Sequence, residues 1–114
     1  MEFSDCIVRK FDKEIKGCRL FPNVVPDTEG LPFAHYSEQI QPVQTKDGIA
    51  GYDSTVIITV AASTKSAAQI LATKIETIFN SSDVGGRTMW LESIEYTLYE
   101  KENINTYELN FNLI

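Results

Sequence analysis

The sequence predicts a small α+β domain, a mostly antiparallel sheet of four to five strands with two helices packed on one face, in the order α-β-β-β-α-β-β. Three observations predict it. A β-branched run from Ser54 to Ser63 (STVIITVAAS) passes straight into an amphipathic helical stretch, TKSAAQILATKIETIFN. Near the end of the chain Tyr107, Leu109, Phe111 and Leu113 alternate with Thr106, Glu108, Asn110 and Asn112, the period-two pattern of a half-buried strand. The 114 residues are 43% hydrophobic and 23% charged, ordinary globular usage without a composition break, so residues 1–114 are expected to form a single domain.

At the start of the chain Phe3, Ile7, Phe11 and Ile15 follow one another at i+4, with Cys6 beside them. Arg9, Lys10, Asp12, Lys13, Glu14 and Lys16 take much of the remaining surface, which makes an amphipathic helix. Gly17 sits where a left-handed residue stops a helix, and Lys13 and Lys16 suit the negative end of the helix dipole. Cys18 to Pro26 (CRLFPNVVP) reads as a short extended piece, because Pro22 and Pro26 each remove a backbone donor. Residues 27–32 (DTEGLP) are a turn-rich loop.

Phe33 to Val43 reads as a strand with Tyr36 and Ile40 on one side. The stretch Gln44 to Gly51 (QTKDGIAG) carries the Asp47-Gly48 reverse-turn pair and a second glycine, so it is expected to be a hairpin with a mobile tip. In the next strand Val56, Ile58 and Val60 share one face and Ile57 and Ala61 the other, which implies a central strand buried on both sides. Ser63 or Thr64 can cap the second helix, in which Ala67, Ile70, Leu71, Lys74, Ile75, Ile78 and Phe79 follow helical spacing as far as Asn80. Lys74 is the polar member of that series, and its stem can lie along the apolar face.

Ser81 to Gly86 (SSDVGG) reads as a loop. From Thr88 onward Trp90, Ile94, Tyr96 and Leu98 alternate with Ser93, Glu95 and Thr97, but Met89 and Leu91 are apolar as well, so a bulge or two-sided burial is expected near Glu92. Glu100 to Asn103 (EKEN) is a polar hairpin loop leading into the last strand.

Ten basic against sixteen acidic residues leave a net charge of −6 without a Lys/Arg run, which argues against a phosphate-binding surface and against direct nucleic-acid binding. The longest apolar run, Val56 to Ala62, is too short for a bilayer, and the first residues have neither the basic nor the apolar region of a secretory signal. The expectation is a soluble protein made inside the cell, with no membrane partner. Cys6 and Cys18 lack the number and spacing of a disulfide framework and read as reduced small hydrophobes. The Asn80-Ser81-Ser82 sequon would need a secretory route to matter.

Candidate chemistry is thin. His35 is the single histidine and has no cysteine beside it in sequence, so a structural role is expected. The pairs Glu92 with Glu95, and Glu100 with Glu102, fall on strand and loop positions that a solvated face explains. The Gly85-Gly86 doublet has neither a P-loop lysine nor dinucleotide-fold spacing, and no CxxC, HxxxH or EF-hand pattern occurs. Trp90, Tyr96, Tyr99 and Tyr107 could make an aromatic binding surface, but their alternation favours packing in the core. The reading is therefore a non-enzymatic protein without metal or cofactor.

Laid end to end, GCRLFPNVVP, LPFAHYSEQ, the strand–helix unit VIITVAASTKSAAQILATKIETIFN and the closing WLESIEYTLYEKENINTYELNFNLI resemble the tail-completion or tail-terminator proteins of long-tailed bacteriophages and prophages. The resemblance lies in a proline-containing first strand, a Pro32-Phe33 strand start, Ala-rich helix character from Ser63 to Ala67 and a final hairpin. It implies a structural protein that assembles in the host cytoplasm as a homo-oligomeric ring, commonly of six subunits. That ring would sit at the head-proximal end of the virion tail, stop growth of the tail-tube protein and offer the surface on which the head-completion protein docks. No residue with a defined binding role carries over.

Such a ring, through which DNA must slide, should have a neutral to acidic lumen. The polar, glycine-rich hairpin is the element expected to reach a neighbouring subunit, through Gln44, Lys46, Asp47, Ile49 and Tyr52. Two other classes fit the same pattern. One is another head–tail connector or minor tail subunit; the other is a non-viral small-ligand or regulatory module of ferredoxin-like shape, which predicts an apolar pocket with converging polar groups and a dimer.

Overall fold

A computed structural model describes residues 3–22 and 30–113, with side chains other than those of 3–5 and 49–53. Two helices, α1 (Phe3–Glu14) and α2 (Lys65–Phe79), accompany six strands. The strands are β1 (Arg19–Pro22), β2 (Phe33–Thr45), β3 (Gly48–Ala62), β4 (Ser82–Val84), β5 (Arg87–Tyr99) and β6 (Ile104–Leu113). They form one sheet in the order β1-β2-β3-β6-β5-β4.

The centre of the sheet follows from the two clearest apolar patterns. β3 lies between β2 and β6, and both of its ladders are antiparallel. Val56, Ile58 and Val60 are fully buried, and they stand opposite Phe111, Leu109 and Tyr107 of β6. On the same face α2 contributes Leu71, Ala72, Ile75 and Phe79, while α1 and the turn after it contribute Ile7, Phe11 and Ile15. Both helices thus bury into one cluster with one face of the sheet, as the spacing predicts. Phe79 and Phe111 meet edge to face at 6.3 Å between centroids, fixing α2 on β6.

The helix ends follow their local chemistry. Thr64 is the N-cap of α2, its Oγ1 accepting from the Ala67 amide at 3.1 Å. Gly17, at φ 80°, supplies the left-handed residue that turns the chain out of the first helical region toward β1. The bulge expected near Glu92 is present: the β5–β6 register shifts between Leu91 and Ser93, leaving Glu92 without a partner.

Three expectations need correction. Among the described residues the sheet has six strands rather than four or five, because residues within the stretch read as a loop form β4 and pair with β5 through a Gly85-Gly86 turn. Those glycines sit at φ 60° and 81°, the left-handed conformation that a two-residue hairpin turn demands. Of the five ladders among the described residues four are antiparallel, as expected of a mostly antiparallel sheet; the exception is β1, which runs parallel to β2, because antiparallel pairing of sequence neighbours depends on a short connection and Pro22 and Phe33 are far apart in the chain. Asn23 to Pro26 of the predicted extended piece lie outside the described residues.

The Gln44 to Gly51 stretch is mostly strand: the ladder reaches Thr45 and Gly48, with only Lys46 and Asp47 at the turn. Finally, Trp90, Tyr96 and Tyr99 are not core residues, being between 38% and 53% exposed, and only Tyr107 of the aromatic set is half-buried. Alternation places a side chain on a face; whether anything covers that face is a tertiary matter.

Candidate assembly surfaces

Strands of unequal length give the molecule its shape. Among the described residues β3 pairs with β6 only from Ser54 onward and β2 pairs with β1 only as far as Tyr36, so the distal halves of β2 and β3 form a two-stranded arm. Six residues of β3 beyond Ser54 correspond to about 20 Å at a strand's rise per residue, and the molecule's longest dimension is 50 Å. The arm carries a bulge, a register shift between Val43 and Gln44. At its tip the Thr45 hydroxyl donates to the Gly48 carbonyl at 2.9 Å and accepts from the Asp47 amide at 3.3 Å, so a short local network closes the turn.

The arm holds every residue singled out as an interface. Gln44, Lys46 and Asp47 are exposed at or beside the tip. Ile49 pairs with Gln44 and Tyr52 with Pro42 in the backbone ladder, their side chains lying outside the described set. Ile40 is 60% exposed on the arm, and Val43 is exposed as well. β-branched residues suit a strand, and their exposure here gives the arm apolar surface that a partner could cover.

A second surface lies on β5. β4 pairs only with Arg87 to Met89 of that strand. Asn80 caps the next stretch by accepting from the Leu91 amide through Oδ1 at 2.9 Å. Beyond the bulge, Ser93 to Tyr99 pair with β6 on one side and, among the described residues, with nothing on the other. Ile94, Tyr96 and Leu98 project from the same face of this open edge, opposite Leu109, Tyr107 and Asn105, and all three are exposed. Tyr96 is fixed in place: its hydroxyl donates to Asn105 Oδ1 at 2.5 Å and its ring lies 5.1 Å from that of Tyr107. Lys65 Nζ stands 4.7 Å from the Tyr96 centroid, a cation–π contact from the start of α2.

The sheet face away from the helices carries a shallow groove of about 300 Å³ lined in part by Phe33, His35, Thr59, Tyr99, Glu102 and Ile104. His35 is half-buried there, and its buried Nδ1 has no hydrogen-bond partner. Burial lowers its pKa from 6.5 by disfavouring the charged ring, an effect that the Glu108 carboxylate opposes. Neither cysteine forms a disulfide, and Cys18 is buried while Cys6 is half-buried. Among the described residues no three His, Cys, Asp or Glu side chains converge as a metal site, and no helix is long and apolar enough to cross a membrane.

Sequence reasoning found the arm and missed the β5 strip. The strip's residues were visible as an alternating series, but their exposure depends on what covers that face of the sheet, and the open edge beside them on β4 pairing only as far as Met89. The one available signal was Gly85-Gly86 between Val84 and Arg87, a hairpin-turn pair that makes the strand before it short.

No family model matches the sequence, and no curated protein matches it. Among solved structures, a chain from the virion of a native gene transfer agent particle matches with a TM-score of 0.66, covering 82% of this chain and 75% of that one, at 17% sequence identity. At that identity the likeness is one of fold.

Proposed function

We propose that this chain is a structural protein of a phage-like virion, and that residues 1–114 act as one tail-terminator-like domain. The supporting observation is the fold shared with a virion chain over 82% of the sequence, which agrees with the resemblance carried by the sequence phrases. In this reading identical subunits, six in the expected form, close a ring at the head-proximal end of the tail tube. The ring ends growth of the tail-tube protein and gives the head-completion protein its docking surface.

The chain's physics suits that task. An exposed arm and an exposed apolar sheet edge are features of a subunit rather than of a solitary molecule. A net charge of −6 suits a ring whose lumen passes DNA without holding its phosphates. The arm tip, with Gln44, Lys46, Asp47, Ile49 and Tyr52, serves as a contact to the neighbouring subunit.

Two experiments test this. Added to polymerising tail-tube protein, the chain should yield tubes capped at one end and arrested in length, whereas binding to the portal side alone would move it to the head–tail connectors. Deleting Lys46 to Ala50 should leave a folded monomer that no longer closes rings. Intact rings after that deletion would remove the tip from assembly.

A further inference from the structure

Among the described residues, each of the two lateral edges of the sheet has a strand partner over part of its length and none over the rest. On one side β1 covers β2 as far as Tyr36, and among the described residues Ser37 to Gln41 have no strand partner there before Pro42 removes a donor. On the other side β4 covers β5 as far as Met89, and Ser93 to Tyr99 are open. Short edge strands and prolines are the ordinary means of blunting an edge. Here, among the described residues, each covers only part of its neighbour, and the rest of each edge carries exposed apolar side chains: Ile40 on β2, and Ile94, Tyr96 and Leu98 on β5.

These stretches fit one another in direction, face and place. β2 is antiparallel to β3, β3 to β6 and β6 to β5, so β2 and β5 run in opposite directions. Copies related by rotation about a ring axis would therefore bring β5 of one beside β2 of the next as an antiparallel pair. Ile40 follows Ala34 and Tyr36 at period two, and these are core-face residues. Ile94, Tyr96 and Leu98 stand opposite Leu109, Tyr107 and Asn105, so they project from that same face.

The open stretches also lie at opposite ends of the strand axis. Ser37 to Gln41 run toward the arm, and Ser93 to Tyr99 run toward the Glu100 to Asn103 turn at the other end. Pairing them offsets each copy along its neighbour, and strands tilted to the axis of a closed barrel absorb such an offset.

We propose that the Ser37–Gln41 edge of β2 pairs with the Ser93–Tyr99 edge of β5 of a second copy of this chain, seating Ile40 against the Ile94, Tyr96 and Leu98 strip. This rests on the ring reading above and names the surfaces that close it. Because the two edges differ, the contact is head to tail, and it continues the sheet from subunit to subunit.

The test uses two variants, each damaged on one edge: Ile40→Lys, and Ile94→Lys with Leu98→Lys. All three positions are exposed, so both proteins should keep the wild-type thermal midpoint; if the double variant melts early, Leu98→Lys alone replaces it. By light scattering, wild type should form rings, either variant alone should be monomeric, and their mixture should stop at a heterodimer. That heterodimer joins the intact β5 edge of one variant to the intact β2 edge of the other. Ile70→Lys, on the exposed side of α2, should leave rings unchanged.

Rings that persist in the Ile94→Lys, Leu98→Lys protein would overturn this pairing and leave the ring reading standing. A wild-type dimer abolished by the β5 variant alone would replace it with a twofold β5–β5 contact. Wild type that stays monomeric at every concentration and closes no ring on tail tubes would overturn both.

Discussion

Tyr96 donates its phenolic proton to Asn105 Oδ1 across the β5–β6 ladder at 2.5 Å, and the Asn105 Nδ2 donates on to the Ser63 carbonyl at 3.3 Å. Asn105 is only 7% exposed, so this chain of bonds satisfies a buried amide and ties the β5–β6 hairpin to the entrance of α2. It also fixes the central ring of the exposed β5 strip, so the strip is presented as a rigid surface. Rigidity before binding lowers the ordering cost of an interface.

Removing the amide should therefore cost more than removing the hydroxyl. Asn105→Ala leaves the Tyr96 hydroxyl and the Ser63 carbonyl without this partner, and should destabilise the monomer by about 1–3 kcal/mol. Tyr96→Phe should cost about 0.5–1.5 kcal/mol, the net worth of one ordinary hydrogen bond. Urea unfolding of the two variants beside wild type checks both the order and the size.

The Phe79–Phe111 contact joins α2 to the middle of the sheet, with both rings fully buried. Phe111→Ala should destabilise by about 3–5 kcal/mol through lost burial and the cavity left behind. In a chain of 114 residues that is a large share of the total, so the variant should show a sharply lowered midpoint in circular dichroism.

His35 should make stability depend on pH in one direction. Its pKa in the fold is lowered below 6.5 because burial disfavours the charged ring, with the Glu108 carboxylate opposing. The unfolded chain then binds the proton more readily, so this contribution is fully present above 6.5 and falls away as the pH drops toward the lower folded value. Midpoints measured across that window should fall with acid in wild type and fall less in His35→Gln. Equal slopes in the two proteins would take His35 out of the acid response.

Thr64→Ala should remove the capping bond to the Ala67 amide and cost about 1 kcal/mol, which Thr64→Ser should largely restore. Urea midpoints of the pair read this directly.

The central part of the fold was legible because its residues carry one period each. Val56, Ile58 and Val60, and Leu109, Phe111 and Leu113, repeat at two; Leu71, Ile75 and Phe79 repeat at four. Thr64 and Glu92 announced a cap and a bulge by side-chain chemistry and by a break in pattern. What stayed hidden depends on neighbours rather than period. β4 is three residues long, and the parallel pairing of β1 follows from a connection too long to be a hairpin. The exposure of Ile94, Tyr96 and Leu98 follows from what packs on their face of the sheet, which no period in the sequence states. The arm was legible as a polar hairpin, and its length came from the strands beside it ending early.

The central claim is that this chain is a ring-forming virion subunit. Light scattering coupled to size-exclusion chromatography, run over a range of concentrations with negative-stain imaging of the heaviest peak, tests it most directly. The account predicts a closed ring with the mass of six 12.8 kDa chains. A monomer or dimer that neither grows with concentration nor closes into a ring on tail tubes would contradict it.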